Sequence, residues 1–528
     1  MISRRTVVGG ALASLGVMST PALAAAARPP LLEMPMAARR RLRDPFTLGV
    51  ASGDPEPDGV VLWTRLAPQP LAWDGLGGMP SREVLVDWQV AEDPGLTRVV
   101  RGGRVRAVPR FAHAVHVEVD GLQPGREYFY RFRAEGHLSG VGRTRTAPAY
   151  ASSPSSLTVA AASCAQYEHG YFTAYRRLAE ETPDLVLHLG DYLYEMRNDA
   201  YVAYPHNVRS VAGPETVSLA AYRQRHAQYK TDPDLQAAHA AAPWSVVFDD
   251  HEVDGNWAGL HQEHRRRSDP SFRQRRASAF RAYYENMPLR RTSLPHGPRM
   301  RIYRRLQWGD LATVHLLDTR QYRDDQVSRG HSRSARRARL DPRRSITGDR
   351  QEQWLLQGLG DSDARWDVLA QQVFFAQRDR SRRPGLQVGM DGWDGYAASR
   401  HRILEGFEHR GVRNPVVLTG DVHRHYANDL RLDFDRPSTR PVGVELVTTS
   451  ITSGGDGQDR SGEMRAERAV NPHIRFASGR RGYVLARFER ERLYADFKTV
   501  PYVRRPGAPV RTAASFVVED RNPGLQPA

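Results

Sequence analysis

The sequence has almost no cysteine and no long apolar run. Of 528 residues only Cys164 carries a thiol, so no disulfide can form within the chain. No stretch approaches the ~20 apolar residues that a membrane-spanning helix needs. In nucleic-acid-binding modules basic stretches interleave with aromatic residues, and the basic stretches of this chain do not. We therefore expect no disulfide framework, no transmembrane anchor in the mature chain and no stable nucleic-acid partner.

The net charge is strongly positive, +16 with a sequence pI of about 10.1. The excess is mostly arginine, as in Arg265-Arg266-Arg267 and Arg336-Arg337. Such a balance favours anionic partners: phosphorylated substrates, polyanions or anionic membrane surfaces. The alternative is a solvated, arginine-rich surface with no specific partner.

The N-terminus has the layout of an export signal over residues 1–26. A charged start with Arg4-Arg5 leads into a short apolar stretch, and small residues follow, with cleavage predicted after Ala24 or Ala26. The arginine pair after Ser3 resembles a twin-arginine signal, so we expect the twin-arginine export machinery as a partner. The alternative is an ordinary secretory signal. Either signal predicts a periplasmic or secreted protein.

The mature chain divides by pattern into two parts. After a connector at 27–44, residues 45–148 alternate polar and apolar residues in short runs separated by turns, which predicts a small β-sandwich of fibronectin type. Residues 155–515 alternate apolar runs with helical patterns, which predicts an α/β domain with two packed sheets. Residues 516–528 are polar and contain proline, so we expect a loose tail.

Five buried-strand patterns in the α/β region each end in a residue that can bind a metal. Ligands gather beyond the carboxyl ends of strands in layered α/β sheets, so these residues are expected to share one site. This pattern predicts a metal-dependent hydrolase. The strand ends are Cys164, Asp191, Asp249-Asp250-His251, Asp318 and Asp421-Val-His423.

Each strand end suggests its own chemistry. The Asp191 carboxylate can bridge two cations, and Tyr194 can return to one of them as a phenolate, which requires a trivalent metal. Residues i and i+2 of an extended chain point the same way, so Asp421 and His423 face one site and His425 continues the row. Cys164 is either a ligand or a buried packing residue.

Two further segments carry oxygen donors and guanidinium groups. Residues 249–256 hold four acids, one histidine and one amide, a set of oxygen donors that suits hard cations such as Ca²⁺ or Mg²⁺. Arg320 and Arg323 follow the strand that ends at Asp318, and a guanidinium matches phosphate oxygens bidentately. The alternatives are a polar loop and a surface ion-pair loop.

An ordered set of motifs resembles the PhoD-like alkaline phosphatase family, within the calcineurin-like metallophosphoesterases. The set runs from about residue 46 to 500. It comprises Gly49-Val-Ala-Ser-Gly-Asp-Pro, Ala162-Ser-Cys164, Gly190-Asp-Tyr-Leu-Tyr194-Glu, Phe248-Asp-Asp-His-Glu-Val, Asp318-Thr-Arg-Gln-Tyr-Arg, Trp393-Asp-Gly-Tyr, Gly420-Asp-Val-His423 and Ser450-Ile-Thr-Ser-Gly-Gly455.

The resemblance implies a fold and a cofactor set. The expected fold is an N-terminal β-sandwich followed by a four-layer αββα catalytic domain. The expected cofactors are one Fe³⁺ and one or two Ca²⁺. The iron ligands would be Cys164, Asp191, Tyr194 and His423. Asp191 would bridge to calcium, whose other ligands would include Asp250, Asn256 and Asp421.

The function expected from residues and resemblance together is hydrolysis of phosphate mono- or diesters by attack of a metal-activated water. His251 would protonate the leaving group or position the substrate, Arg320 would compensate charge, and Arg323 and His425 would contact the substrate. Phosphate acquisition is the simplest role. The alternatives are an exported nuclease or cell-wall phosphodiesterase, and a non-catalytic protein that binds phosphate or polyanions.

Overall fold

The computed structural model describes residues 42–262, 270–327, 333–381 and 385–528. The predicted export signal, the connector up to residue 41 and the basic stretch 265–267 lie outside the described residues. Among the residues that are described, no helix combines the length and the apolar character needed to cross a membrane.

The described strands are numbered in chain order. The first eleven are β1 (Val50–Glu56), β2 (Gly59–Arg65), β3 (Val84–Ala91), β4 (Val99–Ala107), β5 (Ala114–Val119), β6 (Glu127–Ala134), β7 (His137–Leu138), β8 (Gly142–Arg145), β9 (Ser156–Ala162), β10 (Leu185–His188) and β11 (Pro243–Val246). The others are β12 (Arg304–Trp308), β13 (Ala312–Leu316), β14 (Trp366–Ala370), β15 (Pro415–Thr419), β16 (His425–Leu430), β17 (Gly443–Val447), β18 (Ile474–Ser478), β19 (Arg481–Glu489), β20 (Arg492–Val500), β21 (Arg511–Glu519) and β22 (Asn522–Pro527).

The helices lie mainly between the parallel strands. They are α1 (Thr173–Glu180), α2 (Leu219–Lys230), α3 (Pro233–Ala241), α4 (Pro270–Asn286), α5 (Arg333–Ala338), α6 (Asp349–Gly360), α7 (Ala397–His409) and α8 (Ser461–Val470). Both α2 and α3 begin at a side-chain cap, since Ser218 and Asp232 accept hydrogen bonds from backbone N–H groups of the first turn.

Two large mixed sheets form the framework. The first has the order β22-β21-β20-β19-β9-β10-β11-β1-β2-β5, with β9, β10, β11 and β1 parallel to one another. The second has the order β12-β13-β14-β15-β17-β16-β18, with β13, β14, β15 and β17 parallel. The α/β prediction is confirmed.

The second sheet buries both faces, as its nearly continuous apolar strands predict. In β15, Val416 and Leu418 lie in a core shared with strands of the first sheet. Val417, between them, lies in a separate core with Leu355 of α6 and Leu404 of α7. The carboxyl ends of the parallel strands therefore project from a rigid, fully packed base.

The N-terminal β region does not stand apart from the rest. Strands β3, β4, β6, β7 and β8 form a five-stranded sheet, whereas β1, β2 and β5 belong to the ten-stranded sheet. Strand β1 pairs with β11 in parallel, with Ser52 opposite Pro243. Residues 42–528 form one compact unit, so the predicted boundary between 45–148 and 155–515 does not separate independent bodies.

The prediction of a loose tail at 516–528 is wrong. Strands β21 and β22 close one edge of the ten-stranded sheet, and Phe516 and Leu525 are 7% and 2% exposed. An edge strand buries only alternate residues, so its composition stays polar overall, and this polarity concealed the strands.

Candidate metal centre

The predicted ligands emerge from four strand ends that meet at one place. Cys164 lies just beyond β9, and Asp191 just beyond β10. Asp250 follows β11, and Asp421 and His423 follow β15. Strands β9, β10 and β11 are adjacent and parallel in one sheet, and β15 comes from the other, so the site lies where the two sheets meet.

The backbone at this site is held in an unfavourable conformation. Cys164, Asp191, Asn256, Asp421 and His423 all have positive φ, at 60°, 53°, 51°, 65° and 54°. Each non-glycine residue in this region costs roughly 1–3 kcal/mol, and such strain gathers at functional sites. The surrounding fold therefore fixes the direction of all five side chains.

Gly190 allows the tightest of these turns. Its φ is 105°, and a Cβ built on it would lie 2.4 Å from the Cβ of Asp249. Only glycine fits between β10 and β11 here. This close approach brings Asp191 next to the loop that follows β11.

A thiol, a phenol, a carboxylate and an imidazole converge on one side of the centre. The Sγ of Cys164, a carboxylate oxygen of Asp191 and a ring nitrogen of His423 lie within 4.8 Å of one another. The Tyr194 hydroxyl is 3.1 Å from Asp191 Oδ2 and 3.0 Å from His423 Nε2. Ser453 Oγ lies 2.8 Å from the same hydroxyl. All four predicted iron ligands are thus within reach of a single ion.

Carboxylates crowd the other side. Asp191, Asp250 and His251 form one group of donor atoms within 4.8 Å, and Asp249, Asp250 and Asp421 form another. The Asn256 backbone N–H donates to Asp250 Oδ2 at 2.7 Å. Except for Asp249, these residues line a cavity of about 560 Å³, which His423 also lines.

The protein compensates only part of the negative charge of this cluster: Arg320 and His251 outweigh burial and lower the pKa of Asp250, but three other carboxylates are hard to ionise. Burial raises the pKa of Asp191 well above its usual value, and Asp250 raises it further. Burial raises the pKa of Asp249 in the same way although Arg320 opposes the shift, and burial followed by Asp391 raises the pKa of Asp421 to about 7. Ionising these groups together requires compensating positive charge, which bound cations would supply.

The thiol and the phenol also need a cation in order to ionise. Burial, followed by the nearby Asp191, raises the pKa of both Cys164 and Tyr194 well above the usual values. In addition, Asp249 Oδ2 is buried with no hydrogen-bond partner. An unpaired buried oxygen next to four further donors is typical of a metal site rather than of a packed core.

Two glutamates that sequence reasoning did not select hold the site together. Glu252 accepts hydrogen bonds from the backbone N–H groups of Asp191, Tyr192 and Asp249, at 3.0, 2.6 and 2.8 Å. Glu195 lies 2.7 Å from His251 Nδ1 and also accepts from a backbone N–H at 2.9 Å. Both glutamates stand inside the motifs quoted above, so their closeness to the candidate ligands was the available signal.

Arg320 and Arg323 are placed differently from the prediction that they contact a phosphate. Arg320 is fully buried, and it donates to Asp249 at 2.5 Å, to Asp391 at 2.9 and 3.0 Å and to Asp250 at 3.3 Å. Arg323 is 4% exposed and donates to the same Asp391 at 2.9 Å. Their guanidinium groups therefore hold carboxylates in place, and Asp391 lies between them and solvent.

His425 is also placed away from the cavity, which corrects the prediction of a substrate contact. It is fully buried in β16, and its ring nitrogens lie 3.3 Å from Val447 O and 3.2 Å from Lys498 O. The i, i+2 argument fails because His423 has positive φ, so the chain is not extended between His423 and His425.

Asp318, the remaining strand end, caps its own loop and is not a ligand of the cluster. Its Oδ1 accepts the backbone N–H groups of Arg320 and Gln321 at 3.0 and 2.9 Å. Its Oδ2 accepts from the Gln321 side chain at 2.6 Å. The loop therefore places Arg320 within hydrogen-bond distance of Asp249 and Asp250.

The fold and the site together define a class of protein. It is the class of hydrolases with a two-sheet α/β framework and with carboxylate, imidazole, thiol and phenol donors gathered at the strand ends. The chain matches the model of the PhoD-like phosphatase family over residues 159–497, and that of the PhoD-like phosphatase N-terminal domain over residues 32–148. The protein belongs to the PhoD-like phosphatase family. The predicted family is thereby confirmed.

Two individual relatives agree. The chain is 48% identical over 482 residues to alkaline phosphatase D of Bacillus subtilis, covering 91% of this chain and 82% of that protein. It also matches a solved structure of PhoD at 48% identity with a TM-score of 0.88, covering 92% of each chain. The predicted enzyme class, a phosphoric ester hydrolase, is confirmed as well.

Proposed function

We propose that this protein is an exported, metal-dependent phosphatase that hydrolyses phosphate mono- and diesters for phosphate acquisition. The observation that carries the proposal is a set of adjoining donor groups at the strand ends: Cys164, Asp191, Tyr194 and His423 on one side, and Asp421 with Asp250 on the other. No packing requirement accounts for a thiol, a phenol, two carboxylates and an imidazole meeting there, because unpaired buried polar groups destabilise a fold.

The donor set suits two kinds of cation. Cys164, Tyr194, Asp191 and His423 would hold Fe³⁺, since thiolate and phenolate are strongly basic anionic donors. Asp191, Asp250, Asn256 and Asp421 offer oxygen donors for one or two Ca²⁺. When bound, these cations would supply Lewis acidity toward the phosphoryl oxygens and lower the pKa of a water molecule.

His251 is suited to hold and deliver a proton. Burial alone would lower its pKa, but Glu195, Asp250 and Asp191 outweigh burial, and its pKa is raised well above the usual value. Glu195 engages Nδ1, and the ring stacks on Tyr194 at a centroid distance of 4.1 Å. This leaves Nε2 to donate a proton to the departing alkoxide.

Arg320 is assigned a positioning role in place of direct phosphate contact. It pairs with Asp249 and Asp250 and so fixes both carboxylates, of which Asp250 lines the cavity. For a phosphate to reach its guanidinium, Asp391 would have to move away. Arg323 supports the same carboxylate.

The layer order that we propose is helix, sheet, sheet, helix. Its support is the distribution of apolar side chains. One core joins α1 residues such as Tyr175 and Leu178 with strands of both sheets, and a second core joins the outer face of the second sheet with α6 and α7. A fibronectin-like sandwich over residues 45–148 is proposed on the same basis, since Val50, Val86 and Phe132 share one core.

The test combines metal analysis with turnover. Purified protein is assayed with p-nitrophenyl phosphate and with its bis-ester, and its iron and calcium contents are measured. We expect both metals, a visible charge-transfer band, and activity lost on chelation and regained with metal. Asp191→Asn should abolish turnover, and the variant should remain folded, with a melting temperature above about 40 °C. That value lies just below the usual melting range of mesophile domains. Full activity in that variant, or in colourless protein without iron, would refute the assigned metal chemistry.

A further inference from the structure

A second cavity lies beside the carboxylate cluster. It has a volume of about 680 Å³ and shares Asn256 and Asp421 with the cavity over the candidate ligands. Its size falls within the range of small-molecule sites, roughly 300–1,000 Å³. An ester whose phosphoryl group sits at the cluster therefore has adjoining space for the rest of the molecule.

One part of the wall of this second cavity is apolar. Phe374, Val388, Met390 and Val422 contribute to its lining. Phe374 is held in place by an edge-on contact with the Tyr426 ring at 5.2 Å, so that wall is rigid. An aromatic or aliphatic group placed here would be removed from water on several sides.

Most charged groups in the lining already have partners. Asp391 accepts from Arg320 and Arg323, and Arg378 donates to Glu467 at 2.6 Å. Asp394 accepts from Arg400 at 2.7 Å, and the third carboxylate of the lining, Asp421, belongs to the anionic cluster.

Arg380 is the exception. It lines the cavity, and within the part of the chain that the structure describes its guanidinium has no ion pair or hydrogen-bond acceptor. This exposed cation without a partner, in the same cavity lining as Asp421, is suited to a second anionic group on the same ligand.

We propose that this cavity binds the alcohol portion of the phosphate ester and selects alcohols with an aromatic or other apolar body that carries a second anionic group. The apolar body lies against Phe374, Met390 and Val422, and its anion pairs with Arg380. This inference rests on the proposed function, since it assumes that the phosphoryl group binds at the cluster.

The test compares three substrates in the metal-loaded full chain: glycerol 1-phosphate, phenyl phosphate and 4-carboxyphenyl phosphate. Each variant is judged by ratios of kcat/KM, because the intrinsic reactivity of each ester cancels when a ratio is compared between variants. Arg380→Gln should lower the preference for the carboxylated ester over phenyl phosphate ~2–5-fold, mostly through KM, because an ion pair with an exposed side chain contributes up to ~1 kcal/mol.

Met390→Ala should lower the preference for phenyl phosphate over glycerol 1-phosphate several-fold, while leaving the carboxylate preference in place. Arg440→Gln is the matched control. Arg440 is 78% exposed and lines a different cavity, so its removal changes the net charge equally and should leave both ratios unchanged.

Unchanged ratios in Arg380→Gln and Met390→Ala would overturn the subsite, as would an equal effect of Arg440→Gln. A variant that fails to fold is recognised by its melting temperature, and Arg380→Lys, which keeps the charge, should then preserve the carboxylate preference. Failure of the proposed function looks different, because wild-type protein would then turn over none of the three esters.

Discussion

Asp421 is the residue at which removal of metal should be most visible in stability. Burial, followed by Asp391, raises its pKa in the native state from 3.8 to about 7. In the unfolded chain the same carboxyl group ionises near pH 4. Between these values the metal-free native state holds a proton that the unfolded state has released, so the free energy of unfolding falls as pH rises from about 4 to about 7.

The size of the effect follows from the shift. About three pKa units correspond to ~4 kcal/mol, since one unit is worth 1.36 kcal/mol. A chain of this length unfolds with an entropy of ~1 kcal/mol/K, because each residue contributes about 2.1 cal/mol/K. Between pH 5 and pH 8 about two of these three units are lost, or ~2.7 kcal/mol, so the metal-free protein should melt ~2–3 °C lower at pH 8 than at pH 5. Glu252, whose pKa is also raised to about 7 by burial, acts in the same direction.

The assay is calorimetry of chelator-treated protein at pH 5 and pH 8, with and without added calcium. Calcium should restore stability at pH 8, because a cation compensates the ionised carboxylate. Asp421→Asn should show a smaller difference between the two pH values. Asp520→Asn should show the wild-type difference, because Arg413 lowers the pKa of Asp520 to about 2 and the group stays ionised throughout.

The reasoning is refuted if metal-free wild-type protein melts at the same temperature at both pH values. It is also refuted if Asp421→Asn retains the whole difference. Either result would mean that the carboxylates relax away from one another when the cations leave, and that the strained turns at the strand ends do not hold them together.

Three further outcomes are expected. Glu195→Gln should lower kcat by ~10–100-fold and shift the alkaline limb of its pH profile to lower pH, because Glu195 orients a proton donor worth 10²–10⁴ in rate and raises the pKa of that donor; a change in KM alone would contradict this. Gly190→Ala should lower the free energy of unfolding by more than ~3 kcal/mol, because the added Cβ would collide with Asp249. Gly297→Ala is the control: its φ is 59°, no atom lies within 4 Å of the added Cβ, and the cost should be ~1 kcal/mol. Both changes are measured by thermal melting. Deletion of residues 516–528 should lower the melting temperature or cause aggregation, because it opens a sheet edge; an unaffected truncated protein would contradict the assignment of β22 as part of the fold.

The candidate ligands were readable from the sequence because each one follows an apolar run. Short apolar runs bounded by turn residues indicate buried strands, and ligands gather beyond the carboxyl ends of strands in layered α/β sheets. Cys164, Asp191, Asp250, Asp421 and His423 all lie at the cluster for this reason. The pattern needs no knowledge of how the strands are ordered.

Roles that depend on which groups pair could not be read in this way. Arg320 looked like a phosphate ligand, yet three aspartates enclose it. His425 lies two residues from His423 but points into the sheet, because a positive φ at His423 ends the extended alternation. Local spacing predicts direction only while the backbone remains regular.

The sequence by itself determined the α/β class, the strand ends that bear ligands and the family, because these follow from short-range pattern and motif order. Only the tertiary structure decided that β1, β2 and β5 join the main sheet, that β21 and β22 close its edge, and that Asp391 covers the arginines. Sheet order and ion pairing depend on contacts between residues that are tens to hundreds of positions apart, and the chain forms those contacts only when it is folded.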